Sequence, residues 1–185
     1  MLDYKLYYFS DKPFIFDEYH VYKPHRYKLK PAGLWLSVGD DWAKWCYREN
    51  YMLQLLKYRT EFTITDTSNI CYLRTESDVD TFIDNYKYVY TPLPSLYDVL
   101  NPSFEIYTIH WDQVQRDYDG IFIDEDNEEL YNCGFRSGGI STWLDSWDCL
   151  SGCIWNFNIV HQKESEEFNF EEATQRWHHE ELKTN

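Results

Sequence analysis

The stretch Lys30-Pro31-Ala32-Gly33-Leu34-Trp35-Leu36-Ser37, continued by Val38-Gly39-Asp40-Asp41 and Trp42-Ala43-Lys44-Trp45-Cys46, decides the fold class. Pro31 and Gly33 mark a loop, and the apolar residues after them read as a short strand. Asp40 and Asp41 can cap the segment after them. There Trp42, Trp45, Cys46, Leu53 and Leu56 recur at roughly helical spacing, so an amphipathic helix is expected over 41–58. A strand that runs through an acidic turn into a helix, in a chain with further elements of both kinds, makes an α+β protein.

Outward from that unit, Tyr4-Lys5-Leu6-Tyr7-Tyr8-Phe9 reads as a first strand that ends at the turn Ser10-Asp11-Lys12-Pro13. Glu61 to Thr65 alternates like a half-buried strand, and Ile70 to Leu73 reads as another. Ser77-Asp78-Val79-Asp80 has the form of a capping box and opens a helix to about Tyr86. Pro92, Pro94 and Pro102 make 90–103 an irregular connection. One or two helical turns are expected over Trp111–Tyr118, then a turn at Asp119-Gly120 into a strand through Ile123. Asp124 to Glu129 forms an acidic loop and Arg136-Ser137-Gly138-Gly139 a link. A late strand is expected from Ser151 to Val160, its side chains alternating between faces. Residues 1–165 form one α+β domain, and 166–185 an acidic helix or tail that carries His178-His179.

Composition bounds what this domain does. The chain has 185 residues, and its 19% aromatic content excludes an acidic disordered chain, which lacks the apolar surface to offset its entropy. The net charge of −15 argues against a plain nucleic-acid backbone binder, which needs clustered Lys and Arg. Yet residues 1–30 carry six basic and four acidic side chains, a net of +2, which leaves −17 for the remainder. A phosphate-bearing ligand would be welcome at that end. No run approaches the ~18 apolar residues of a membrane span and no signal-peptide core is apparent, so no membrane partner and a cytoplasmic location are expected. Cys46, Cys71, Cys133, Cys149 and Cys153 are odd in number and lack zinc-type spacing, so they read as reduced core residues and no metal is expected.

Phosphate loops, zinc-protease motifs and serine elbows are missing. A Cys–His pair drawn from Cys149 or Cys153 and His20, His25, His110 or His161 stays open, although buried thiols are commoner than reactive ones. The informative feature is that five of the eight tryptophans gather in short blocks near Gly, Ser and Asp: 30–37, 42–46 and Trp147-Asp148-Cys149-Leu150-Ser151-Gly152-Cys153-Ile154-Trp155. Aromatic faces can stack on a heteroaromatic ring while glycine admits close backbone and a carboxylate polarises a hydroxyl. The competing reading is that the tryptophans fill a core, and for Trp45 and Trp155 that is the stronger one.

These blocks carry a resemblance. An aromatic strand ending Tyr8-Phe9-Ser10-Asp11-Lys12-Pro13, then Gly33-Leu34-Trp35-Leu36-Ser37 before a helix, then Tyr118-Asp119-Gly120-Ile121 and a late strand, resembles the ADP-ribosyltransferase superfamily, in particular its compact phage and bacterial branch. The resemblance implies a split sandwich of two small, mainly antiparallel sheets with flanking helices that clasp NAD as substrate. It also implies transfer of ADP-ribose to a macromolecular acceptor, a host protein or nucleic acid, with an acidic side chain holding the ribose. Carried onto this chain, Phe9 and Ser10 take the first motif, where Phe9 departs from the family's His or Arg, and Gly33, Leu34, Trp35 and Ser37 take the second. Lys30 reaches the pyrophosphate, and Trp147 and Trp155 supply aromatic wall. Ser151-Gly152 replaces the family's acidic position, so Asp148 is the first choice of catalytic acid and Asp119 and Glu125 the second. The alternative is a non-catalytic acidic interaction protein, a nucleic-acid mimic or host-protein inhibitor, for which the −15 charge argues.

Overall fold

The computed structural model describes residues 5–17, 19–23, 29–89, 105–123 and 139–184. Strands β1 (Leu6–Ser10), β2 (Leu34–Val38), β3 (Tyr58–Ile64), β4 (Ile70–Leu73), β7 (Gly120–Ile123), β9 (Ser151–Ile154) and β10 (Val160–Glu167) form one sheet in the order β10-β3-β1-β2-β9-β7-β4. Strands β5 (Lys87–Val89), β6 (Glu105–Ile109) and β8 (Gly139–Ser141) form a three-stranded sheet in the order β5-β6-β8. All pairings are antiparallel except β4 with β7 and β6 with β8. The α+β class is as expected, but the sheets are unequal, one of seven strands and one of three, where two small sheets were expected. The large sheet grows because β10 returns to pair with β3, a contact between residues about a hundred positions apart.

Strand periodicity sorts the core. Leu6, Leu34, Leu36, Phe62, Phe122 and Ile154 face one side, where Phe14, Phe16 and Tyr22 of the 13–23 connection cover them. The other side carries two separate groups. Cys71, Ile121 and Cys153 pack under helices α2 (Glu76–Tyr86), α3 (Trp111–Asp117) and α4 (Thr142–Asp145), with Trp111, Trp143 and Trp147 buried. Tyr7 and Phe9 pack under helices α1 (Asp41–Arg48) and α5 (Phe170–Thr184), with Cys46, Phe168, Ala173 and Trp177. Strands β7 and β9 are buried at every residue, as central strands covered on both faces must be. Gly152 sits where an added Cβ would lie 2.4 Å from the Phe122 ring, so the close approach of β9 to β7 requires glycine.

Several local expectations need correction. The helix expected over 41–58 ends at Arg48, because Asn50 and Met52 take left-handed backbone (φ 50° and 45°) and turn the chain into a 3-10 turn at Leu53–Leu55. Asn50 follows the C-cap Glu49 and is the residue other than glycine that most readily takes this conformation, so it marks the stop, whereas Met52 gives no such signal. The capping box stands two residues earlier than expected: Thr75 accepts from the Asp78 N–H at 3.2 Å and Asp78 accepts from the Thr75 N–H at 2.9 Å. The expected strand from Ser151 to Val160 is interrupted after Ile154. Trp155 and Asn156 donate backbone N–H to the Asp119 carbonyl at 3.1 and 3.2 Å, and Phe157–Ile159 makes a 3-10 turn before β10. The acidic loop at 124–129, the connection at 90–103 and residues 136–138 lie outside the described residues. From 166 onward the chain completes β10 and enters α5, which caps on Asn169 (Glu172 N–H to Oδ1, 3.1 Å) and packs Phe168 edge-on to Phe9 at 5.1 Å.

Candidate functional site

Where the two helical groups part above β1 and β2, the sheet face opens into a cavity of about 320 Å3. β1 supplies Tyr7 and Phe9, which share a face because they are two residues apart. β2 supplies Trp35 and Ser37 by the same rule, and α1 supplies Trp42. Met52 and Leu55 form a rim, and Lys30, Asp148, Cys149 and Ser151 close the far side. Trp42 stacks on Trp45 at 5.1 Å and 14°, with Tyr51 edge-on to both, so its ring is fixed. Tyr7 is fixed from behind by the Arg59 guanidinium at 4.8 Å, itself bound to Asp40 and Glu166.

Most polar groups in the cavity are already used. The Ser37 hydroxyl accepts from the Trp42 N–H at 2.9 Å and donates to the Gly39 carbonyl at 3.2 Å, doing the capping that Asp40 leaves undone. The Ser151 hydroxyl donates to the Cys149 carbonyl at 2.9 Å. Lys30 and Asp148 remain, the cavity's two charged residues among the described ones, joined at 2.6 Å and each about one-third exposed (34% and 27%). The Lys30 ammonium also lies 5.3 Å from the centre of the Trp35 ring.

Of the residues expected at the site, the structure thus gathers Phe9, Lys30, Trp35, Ser37, Asp148 and Ser151 around one cavity. Trp147 lies beneath it, buried, edge-on to Trp35 at 4.7 Å, its indole N–H on the Ser151 carbonyl at 3.2 Å. Leu34 points into the opposite core, and an added Cβ on Gly33 would meet Cys153 Sγ and the Ile154 carbonyl at 2.6 Å, so both shape the sheet. Ser10 is one residue from Phe9 and therefore faces the other way, its hydroxyl donating to the Lys12 carbonyl at 2.6 Å. Asp119 ties the chain after β9: its carboxylate accepts from Asn156 Nδ2 at 2.7 Å. Trp155 donates to the Tyr118 carbonyl and lines a different, more polar depression with His20 and Asp112. Glu125 lies outside the described residues. Tyr7 and Trp42 were legible from spacing, as neighbours of Phe9 on its face and at the start of the helix after Ser37. Met52 and Leu55 carried no signal, since the helix was expected to continue through them.

Neither Cys149 nor Cys153 has the surroundings of an activated nucleophile. Burial pushes the Cys149 thiol up to about 12 and that of Cys153 well above its usual value, and no histidine lines the cavity among the described residues. At pH 8, iodoacetamide is therefore expected to alkylate Cys149 at least about tenfold more slowly than a free thiol, the smaller thiolate fraction outweighing the greater nucleophilicity of a high-pKa thiolate. A mass-spectrometric time course checks this, and labelling at the free-thiol rate contradicts it. Among the described residues no group of His, Cys, Asp and Glu side chains is arranged to hold a metal, and no helix is long and apolar enough to cross a membrane.

Comparisons with protein-family models, with curated proteins and with solved structures each find no match to this chain.

Proposed function

We propose that the cavity binds NAD and that the protein is an ADP-ribosyltransferase-like enzyme acting on a macromolecular acceptor. One observation carries the reading: Lys30 and Trp35 of one stretch and Asp148 of another, more than a hundred residues on, converge with Phe9 and Trp42 on a single aromatic-walled cavity. Its volume of about 320 Å3 is at the small end of ligand sites and suits a ring with its sugar, the nicotinamide–ribose half of the dinucleotide. The split-sandwich form of the fold belongs to this same proposal.

When bound, NAD supplies a glycosidic bond that breaks with both electrons leaving on nicotinamide, while the acceptor's nucleophile bonds to the ribose carbon and loses its proton. Asp148, the acid lining the cavity among the described residues, stabilises positive charge as it develops on the sugar, an interaction stronger in the transition state than before it. Trp42 and Phe9 hold the ring and exclude water. Lys30 is placed to meet a phosphate.

A thermal-shift titration tests binding. At a hundredfold excess over Kd, NAD is expected to stabilise the protein by about 2.7 kcal/mol, and the ligand-induced shift is expected to vanish in Trp35→Ala whatever that variant's own Tm. No shift at millimolar NAD overturns the reading. The acidic-mimic alternative would then be favoured by a basic protein that co-purifies and is released by salt.

A further inference from the structure

The chain after β9 forms one wall of a second depression, of about 380 Å3, which shares no lining residue with the aromatic cavity. Trp155 and Asn156 are fixed there before any ligand arrives. Both backbone N–H groups donate to the Asp119 carbonyl, the Trp155 indole N–H donates to the Tyr118 carbonyl at 2.5 Å, and Asn156 Nδ2 donates to the Asp119 carboxylate at 2.7 Å. Tyr22 also lines the depression, held edge-on to Phe157 at 5.6 Å. Rigid aromatic surface of this kind suits a flat ring. Asp112 and Arg116, one turn apart on α3, bring opposite charges to it. They do not satisfy each other: Arg116 Nη2 and Asp112 Oδ2 are 4.0 Å apart, beyond hydrogen-bond distance, and the Arg116 side chain is 69% exposed. Asp112 has one oxygen to offer. Its Oδ1 is buried and lies 3.5 Å from His110 Nδ1, whereas Oδ2 is the oxygen on the Arg116 side.

From this arrangement we infer that the depression is a nucleobase site selective for cytosine, with Arg116 on the ring acceptors, Asp112 on the amine and Trp155 against the ring. One guanidinium and one carboxylate cancel in charge, so an uncharged group is favoured there over an anion or a cation. Their directional demands are more specific. The guanidinium fork presents two parallel N–H donors, and Asp112 presents one acceptor oxygen. A ring edge that answers both carries two adjacent acceptors followed by a donor. Cytosine has that edge: O2 and N3 accept and the N4 amine donates. Guanine offers one acceptor and two donors, and uracil places a donor between its two acceptors, so each leaves a charged group of the site without its bond. The inference goes beyond the NAD reading and does not rest on it.

Isothermal titration of cytidine, uridine and guanosine into the wild type, Arg116→Lys and Asp112→Ala tests it. Cytidine is expected to bind the wild type at least about tenfold more tightly than uridine or guanosine, the discrimination of one matched bidentate edge. Arg116→Lys keeps the charge and loses the fork, so it is expected to erase that preference, and its exposure leaves the fold unaffected. Asp112→Ala is expected to weaken cytidine at least about fivefold. Saturating NAD is expected to leave the cytidine affinity within about twofold, because the two sites share no lining residue. Tetracytidylate is expected to bind no more tightly than cytidine, since the net charge of −15 repels a strand. Tighter binding of tetracytidylate with the same dependence on Arg116 supports the cytosine seat and assigns it to a base within a strand. Equal affinities for the three nucleosides, an unchanged preference in Arg116→Lys, or no binding at millimolar cytidine overturns the inference. Displacement of cytidine by NAD also overturns it, and leaves the NAD reading standing.

Discussion

Replacing Asp148 by asparagine is expected to slow ADP-ribosyl transfer from NAD by on the order of 10²–10³-fold while leaving the fold intact. Asparagine keeps the size and one acceptor oxygen, so Lys30 retains a hydrogen-bond partner. The ion pair that is lost is about one-third exposed on both sides, and its removal costs on the order of 1 kcal/mol. What disappears is the negative charge, whose value rises as positive charge builds on the sugar in a cavity otherwise walled by aromatic rings. Labelled NAD incubated with wild type and variant beside candidate acceptors measures the effect, with circular dichroism confirming that both are folded. Labelling within threefold of wild type removes Asp148 from the chemistry. Asp119→Asn serves as the contrast, because its carboxylate is engaged by Asn156 away from the cavity, and it is expected to leave transfer unchanged per folded molecule.

Trp147→Ala is expected to cost about 3–5 kcal/mol, the range for deleting a buried tryptophan. The side chain is 1% exposed, and its ring meets Trp35 and Trp143 edge-on at 4.7 and 6.2 Å. Its indole N–H holds the Ser151 carbonyl at the start of β9. Alanine therefore leaves a void beneath the cavity floor and an unpartnered carbonyl. Domains of this kind have only about 5–15 kcal/mol in total, so the loss is a large share and corresponds to a fall in Tm of about 10 °C. Trp147→Phe keeps most of the apolar volume and loses the hydrogen bond, for an expected cost of about 1–2 kcal/mol. Urea unfolding curves of the three proteins measure this order. Equal midpoints for alanine and wild type would place Trp147 outside the packed floor.

Local pattern carried much of this structure. Leu34 to Val38 is a strand because its apolar alternation is short and bounded by Pro31, Gly33 and Gly39, the last at φ 54°. Gly120 to Ile123 and Ile70 to Leu73 were legible for the same reason, as apolar runs beside turns. Tertiary choices were not. The length of the main sheet depends on β10 pairing with β3, and β10 reads Val-His-Gln-Lys-Glu-Ser-Glu-Glu, a polar edge with little strand signal. The end of α1 is marked by Asn50, a terminator readable in the sequence but outweighed there by the apolar spacing that runs on to Leu56, and the second left-handed residue, Met52, carries no local signal.

The candidate site divides in the same way. Trp35, Ser37, Lys30 and Asp148 were accessible as unusual residues in compact blocks, and their convergence needed the pairing of β2 with β9. Phe9 and Ser10 share one sequence motif, yet Phe9 lines the cavity while the Ser10 hydroxyl turns to the Lys12 carbonyl. Asp119 and Trp155 have the look of site residues because polar and aromatic side chains near a glycine suit a pocket. They instead bind each other's chain segments where β9 ends.

Hydrogen–deuterium exchange in the presence and absence of saturating NAD+ tests the central claim most directly. Protection is expected in peptides covering Leu34–Val38 and Asp148–Ser151, with none in those covering Trp155–Ile159. Protection confined to Trp155–Ile159, or no change anywhere at millimolar NAD+, would contradict the assignment of this cavity.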